Sequence, residues 1–419
     1  MSWTKKRLGD LATIQLGKML DQKKNQGDYL PYLGNDNIQW NELKLDEVKQ
    51  MRIRPEERER FRLQPNDILV CEGGDPGRCA LWTSSEEMYY QKALHRVRVG
   101  KELDPRFLLY YLIHLGNTQA IRQYYTGSST IKHLPNAAIK RVLISYPSIE
   151  KQKKIAEILS AYDSLIENSR KQIKLLEEAA QRLYKEWFID LRFPGHETTA
   201  IDSETGLPEG WEEVAIRKAL DDEIGGGWGE EAPTTGYSEI AYVIRATDIS
   251  DVENGALLNV PLRFHKPSNL ASRSLRDGDI IFEVSGGSRE HGVGRNLRIT
   301  RDLLDQLPHP VMCASFCKKM RPKSARLSLI IAESIKYAYL SEGLRMFEKR
   351  SAGNIINFHW NDFLDNFFLR IPPDGLLETY LKLVKPIYSM KSIKAKAINA
   401  TREARDRLLP KLMSNEIEV

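Results

Sequence analysis

The chain has 419 residues, 41% of them hydrophobic and 28% charged, with a net charge of +5 at neutral pH. That length is too great for one hydrophobic core and calls for two or three domains. No run approaches eighteen uninterrupted apolar residues, and the start, Met1-Ser-Trp-Thr-Lys-Lys6, lacks the apolar stretch of a signal peptide, so neither a membrane-spanning nor a secreted protein is expected and the compartment is read as the cytoplasm. Four cysteines (Cys71, Cys79, Cys313 and Cys317) are too few for a disulfide framework. Cys313 and Cys317 fall within a loose zinc spacing, but no histidine pair completes a site, and reduced, half-buried thiols are the expectation.

In chain order, residues 1–148 read as a small α+β domain. Asp67-Ile-Leu-Val-Cys71 is a short apolar run after a turn, Leu81-Trp82 and His95-Arg-Val-Arg-Val99 alternate as half-buried strands do, and Pro105 to Leu115 is apolar at helical spacing. Residues 149–193 form a first spacer helix, with apolar positions at Ile155, Ile158, Leu159, Tyr162, Leu165, Ile166, Ile173, Leu176, Ala180, Leu183, Tyr184 and Trp187. Those steps of three and four make one buried face, and Pro194-Gly195 stops it. Residues 194–210, rich in Pro, Gly, Ser and Thr, read as a linker.

The chain then repeats itself. Residues 211–373 form a second α+β domain, in which Asp279-Ile-Ile-Phe-Glu283 matches Asp67-Ile-Leu-Val-Cys71 at an offset of 212, Asp248 matches Asn37 at 211, and Ser328 to Tyr339 matches the helix from Pro105. Residues 374–419 form a second spacer helix at an offset of 225, which places Ile158 on Leu383, Tyr162 on Ile387, Ile173 on Ile398 and Leu183 on Leu408. The second unit carries 13 extra residues, placed around Ser285 to Pro310. Pro386 inside the second helix predicts a kink or a late start there. Charge is uneven: the stretch from Tyr380 to Met413 is net +7, the first helix from Ile155 to Phe188 is net −1, and the remainder is near −1. The basic helix either pairs with the first helix or faces an acidic partner such as nucleic acid.

Searches for catalytic sets fail on chemistry. The loop Glu72-Gly-Gly-Asp-Pro-Gly-Arg78 lacks the Gly-Lys-Ser/Thr ending of a nucleotide cradle, as does Ser285-Gly-Gly-Ser-Arg289. Asp67 with Glu72, or Asp279 with Glu283, could be metal carboxylates, but the lysine a nuclease needs is replaced by Gly74 and Ser285. Turn aspartates explain both better. No Asn-Pro-Pro-Tyr or Asp-Pro-Pro-Tyr pocket for amino-group methylation is present in the sequence. A duplicated pair of readers on a spacer, without its own catalysis, is what remains.

At this point the residues resemble a family. Trp3 with Leu8-Gly9-Asp10, Asp67 through Arg78, Gly127-Ser-Ser129, Pro147-Ser-Ile-Glu-Lys-Gln152-Lys-Lys-Ile155, Trp187-Phe188 and Gly206-Leu-Pro-Glu-Gly-Trp211 stand in the order found in specificity subunits of type I restriction–modification enzymes. The resemblance implies two tandem target-recognition domains with mixed twisted sheets, separated by two long antiparallel coiled-coil helices. It implies partners: double-stranded DNA, two methyltransferase subunits and motor–nuclease subunits. It implies that S-adenosylmethionine, ATP and magnesium belong to those partners, with no cofactor, metal or catalytic residue in this chain. Pro372-Pro373 through Glu378 departs from the pattern by lacking the Glu-x-Gln helix start.

Base edges are read by Arg, Lys, Asn, Gln and carboxylates on elements that reach a groove. The candidates in the first domain are Asn35, Asn37, Arg78, Gln91, Lys92, Ser128, Ser129 and Lys132. In the second they are Trp228, Arg245, Ser288, Arg289, His291, Arg295, Asn354 and Asn357. The helix residues proposed for partner docking are Ile155, Ile158, Tyr162, Leu165, Ile173, Leu176, Leu183, Trp187, Leu383, Ile387, Ile398 and Leu408. Because the two globular parts are near neutral, the chain alone is expected to bind DNA weakly. A duplicated coiled-coil scaffold for protein partners is the competing class, and an enzyme with an unrecognised site is the third.

Overall fold

The computed structural model describes residues 3–21, 25–46, 48–127, 132–257, 259–287, 292–350 and 355–419. The chain divides into two compact units, Met1–Leu165 with Thr401–Val419, and Ile166–Ala400. The longest helices are α1 (Pro105–Asn117), α2 (Ile149–Tyr184), α3 (Ala325–Leu340) and α4 (Asp374–Met413).

In the first unit a four-stranded antiparallel sheet runs in the order Ala12–Leu16, Leu94–Val99, Ile68–Cys71, Cys79–Leu81. A three-stranded sheet places Asp28–Leu33 between Lys49–Ile53, antiparallel, and Tyr89–Tyr90, parallel. The four-stranded sheet contains the short apolar runs seen in the sequence, which bury Ile68, Val70 and Val97 against Phe107, Leu108 and Leu112 of α1. The Asp104 carboxylate starts α1 by accepting from the backbone N–H groups of Arg106 and Phe107, with Pro105 in the first turn.

The second unit repeats this plan strand for strand. Leu220–Gly225, Cys317–Pro322, Ile280–Glu283 and Asn296–Arg298 form the antiparallel sheet. Leu262–His265, Glu239–Ile244 and Val311–Cys313 form the mixed one. Strand registers locate the extra length. The offset is 212 at Asp67/Asp279, 217 at Leu81/Arg298 and 223 at Tyr90/Cys313. Eleven of the thirteen extra residues therefore fall in the two loops flanking the edge strand, five before it and six after it, where added residues disturb no ladder, and the other two come after Cys313.

The helices carry the clearest duplication. On α2 and just beyond it, Gln152, Ile155, Ala156, Leu159, Ile166, Ile173, Ala180, Tyr184, Trp187 and Phe188 are buried. Adding 225 gives Leu377, Tyr380, Leu381, Val384, Lys391, Ile398, Arg405, Leu409, Leu412 and Met413, each buried or nearly so. Leu159, Ile166, Ile173, Ala180 and Trp187 stand seven apart, the seam of a coiled coil. Within the second unit the pairing is antiparallel: Ile173 packs on Ile398, while Tyr184 and Trp187 lie against Tyr380.

Pro386 neither delays nor divides its helix. α4 begins at Asp374 and continues through Pro386 without a break, because the ring lies on the exposed side and Leu381 and Val384 anchor the turns before it. After Tyr184, α2 widens into a π turn over Lys185–Ile189. That extra residue keeps Trp187 and Phe188 in an aromatic cluster with Phe193, Trp211 and Tyr380. The segment expected as a linker is folded rather than slack: Asp202 N–H donates to the Leu207 carbonyl, Glu209 N–H to Ala200, and Leu207 is buried.

Gln152 explains the Glu-x-Gln start of α2. Its Oε1 accepts from Asp104 N–H at 2.9 Å, and its Nε2 donates to the carbonyls of Glu102 and Pro147, both at 2.9 Å. One buried amide thus ties the first turn of α2 to the first turn of α1. Leu377 takes that place in α4, so an apolar contact replaces the hydrogen bonds.

Candidate nucleic-acid interface

In the first domain four loops converge. The turn after Asp28–Leu33 is closed by Asn37, whose Oδ1 accepts from Gly34 N–H at 2.9 Å and whose Nδ2 donates to the Lys44 carbonyl at 2.8 Å. Arg78, at the end of the Gly-rich loop, donates through Nη2 to the Asn35 carbonyl at 2.9 Å. Gly74 in that loop has φ +81°, and a Cβ there would lie 2.8 Å from Asn35 Nδ2, so only glycine allows the approach. Gln91 joins through its N–H to the Leu33 carbonyl, and Lys92 through its N–H to Lys18. The hairpin strand of Lys132 and His133 closes the group, with His133 Nδ1 3.1 Å from the Glu72 carboxylate and Leu134 N–H on the Glu72 carbonyl.

Asn35, Asn37, Arg78, Gln91, Lys92 and Lys132 are therefore brought to one cluster of loops, as the sequence suggests. Their freedom differs. Lys92 and Lys132 are exposed, whereas both polar ends of Asn37 are spent on the turn. Ser128 and Ser129 lie outside the described residues. A cleft of about 370 Å³ at the turn of Gly34 and Asn37 is lined by Tyr32, Asp36, Lys44, Asp46, Lys49 and Gln91, so both signs of charge face it.

The second domain uses the same turn with different chemistry. Arg245 N–H donates to Asp248 Oδ2 at 2.9 Å, as Gly34 does to Asn37, and the Arg245 guanidinium also grips that carboxylate at 2.7–2.8 Å. Arg295 holds the buried Glu283 with two bonds of 2.9 and 2.7 Å. Both guanidinium forks are thus engaged by acids within the domain, so a base edge would have to displace a charge-assisted pair. Asn357, the exposed residue of the strand Ile356–Phe358, accepts from Ser285 Oγ at 2.9 Å. The Trp228 ring carries the Arg263 guanidinium 4.3 Å above its centre. Ser288, Arg289, His291 and Asn354 lie outside the described residues.

The sequence reading missed Phe316, which is 64% exposed. Its carbonyl accepts from Val284 N–H, beside the Ser285–Asn357 pair. The matching contact in the first domain is Glu72 N–H to Ala93, so the strand register would have nominated Phe316 alongside Gln91 and Lys92. An exposed aromatic at a reading loop is chemically suited to a thymine methyl or a base face.

The acidic pairs considered for metal binding are occupied otherwise. Asp67 accepts from Gln64 N–H and from two nitrogens of Arg98, all at 2.7 Å, and Asp279 does the same with Arg276 and Arg321 at 2.7–2.8 Å. Burial pushes the Cys71 thiol up to about 11 and that of Cys313 to about 12, the opposite of a metal-binding thiolate.

The helix residues nominated for docking divide into two groups. Ile155, Ile173, Trp187 and Ile398 are buried, and Ile158, Tyr162, Leu176, Leu183, Ile387 and Leu408 are partly buried. Those ten face the partner helix or the globular domains rather than solvent, because the apolar period marks the inner face. Leu165 and Leu383 are exposed, and Leu175, Met390 and Ile393 join them.

Comparison with known proteins shows what the chain is similar to. Residues 1–178 match the family described as type I restriction modification DNA specificity domain. The MjaIX specificity subunit of a type I restriction enzyme from Methanocaldococcus jannaschii is 27% identical over 320 residues, which cover 74% of this chain and 69% of that protein. The MjaVIII specificity subunit of the same organism is 25% identical over 228 residues, 53% of this chain and 50% of that one. The S subunit of the type I restriction–modification system from M. genitalium has a similar fold, with a TM-score of 0.50 at 16% identity, covering 98% of this chain and 96% of that one. Residues 1–178 thus match the specificity domain of type I restriction–modification systems, and the chain is similar to specificity subunits of those systems.

Proposed function

We propose that each globular domain reads one half of a split DNA target and that α2 and α4 hold the two readers at a set spacing while docking two methyltransferase subunits. The observation that carries this reading is the duplication. The same strand order, the same turn at Gly34 and Arg245, and the same buried helix positions at an offset of 225 occur twice. Two similar readers on one spacer suit two half-sites. The exposed Leu165, Leu175, Leu383, Met390 and Ile393 would meet the methyltransferases.

In this reading the chain performs no catalysis. Methyl transfer from S-adenosylmethionine to adenine, and any ATP- and magnesium-dependent translocation and cleavage, belong to partner subunits, and the complex works in the cytoplasm. Among the described residues no helix is long and apolar enough to cross a membrane. Cations of α4 that the sequence left unassigned have partners: Lys391 with Glu177, Lys396 with Asp302 and Arg405 with Asp163. This supports weak DNA binding by the chain alone, since paired cations release fewer counterions.

The test is methylation mapping of genomic DNA from cells expressing this chain with its methyltransferase partner. A split motif with modified adenines on opposite strands is expected. Co-purification of the two proteins with no motif would instead favour a scaffold. Tight, sequence-specific binding by the isolated chain at moderate salt would overturn the assignment of phosphate contacts to partners.

A further inference from the structure

Each globular domain sits on the helices through a partly buried polar hub, and the two hubs differ in what the domain brings at one matching position. In the first unit the hub is Asp163 of α2. It accepts from Asn41 Nδ2 at 2.7 Å, from the Tyr110 hydroxyl of α1, and from Arg405 Nη1 of α4 at 2.6 Å. The globular domain supplies donors and a helix supplies the carboxylate.

The second unit keeps a carboxylate of α2 at its centre, Glu177, and changes what the domain contributes. The residue matching Tyr110 at the domain offset of 223 is Glu333, buried on α3, and Glu253 is a second carboxylate from the same domain. The helix position matching Ile166 at 225 is Lys391. Lys391 lies 2.5 Å from Glu177 and 3.7 Å from Glu253, Lys336 joins Glu177 to Glu253 at 2.9 Å each, and Glu333 accepts from Gln181 of α2. Here the domain brings a cation, Lys336, together with the carboxylates Glu253 and Glu333, and α4 brings a cation, Lys391, as it brings Arg405 to the first hub.

We propose that this difference assigns each recognition domain to its own seat: the first seat accepts a domain offering a hydrogen donor at the Tyr110 position, and the second a domain offering an acceptor at the Glu333 position. A carboxylate at position 110 would face Asp163, a like charge in a partly buried site. A donor-only side chain at 333 would leave Gln181 Nε2 without its acceptor. The order of the two half-site readers along the chain is then fixed by the seats, whichever bases the readers recognise. A recognition domain exchanged into this chain would have to bring the matching key.

The full-length chain tests this with three variants. Tyr110→Glu installs the second domain's key on the first seat. Tyr110→Gln is the uncharged control of the same length. Tyr110→Glu combined with Asp163→Asn removes the like charge and leaves Arg405 to receive the new carboxylate, which imitates the second seat. Hydrogen exchange over Pro105–Asn117 and limited proteolysis of residues 3–127 report seating of the first domain. The second domain serves as the internal reference. We expect Tyr110→Glu to raise exchange and cleavage at least tenfold in the first domain only. Tyr110→Gln should stay within about threefold of the parent, and the double variant should return to that level. Equal loss in Tyr110→Glu and Tyr110→Gln would mean packing rather than polarity holds the seat. Failure of Asp163→Asn to rescue would likewise overturn the proposal.

Discussion

Asp67 and Asp279 carry the same structural task in the two domains, and their burial decides what their loss would do. Each accepts one backbone N–H and a bidentate arginine. Removing a carboxylate strands a partly buried guanidinium, a change that costs about 3–5 kcal/mol. Asp67→Ala should therefore lower the stability of the first domain by about that amount in denaturant titration, with no dependence on added metal. Glu333 behaves differently. Burial pushes its carboxyl up to about 7, against the pull of Lys336 and Lys391, while Glu177 beside it is held down to about 2 by the same two lysines despite its own burial. A raised carboxyl favours folding below its unfolded value of 4.5, and that contribution is lost as pH climbs through about 7. Glu177 works in the other direction: its contribution is present above 4.5 and is lost as pH falls toward 2. Glu333→Gln should thus stabilise the second unit at pH 8, by up to about 3 kcal/mol, and change little at pH 4. Thermal melts at the two pH values check this, and equal effects at both would refute it.

At the scale of elements, the helices were legible because their seam is a local pattern. Ile166, Ile173 and Ala180 stand at heptad spacing, and any window of the sequence displays it. The repeat was legible for the same reason, through short strings such as Asp67-Ile-Leu-Val and Asp279-Ile-Ile-Phe. The state of the reading residues was not. Whether Arg295 is available depends on Glu283 across a loop, and whether Asn37 is free depends on Lys44, partners that sequence spacing does not single out. The late start that Pro386 suggested does not occur, because the helix begins at Asp374 and a proline is tolerated where its neighbours' packing holds the helix. The apolar stripe also mixed two roles that only burial separates. Ile398 is fully buried, and Ile398→Ala should cost about 2–4 kcal/mol through the cavity it leaves. Leu165 and Leu175 are 58% and 63% exposed. Replacing both with serine should leave stability within about 0.5 kcal/mol while reducing co-purification of the methyltransferase. Full retention of the partner would move docking to another surface.

For the whole molecule, the helix pair is the element through which the proposed spacing of half-sites can be varied without touching a reader. Ile166 to Ile173 in α2 and Lys391 to Ile398 in α4 are single heptads of the same seam. Duplicating one heptad in each helix keeps every seam residue on its face, because seven residues complete two turns of a coiled coil. It leaves both polar hubs intact in sequence. The added length is about 10 Å per helix at ~1.5 Å per residue, and DNA rises ~3.4 Å per base pair, so the spacer should grow by roughly three base pairs. The bases of each half-site should stay the same, since no reading loop changes. Methylation mapping of the lengthened chain with its partner reads both quantities at once. An unchanged spacer would show that the helices do not set it. Loss of one half-site alone would show that a reader had been disturbed, whereas a longer spacer between two intact half-sites would establish the helix pair as the ruler.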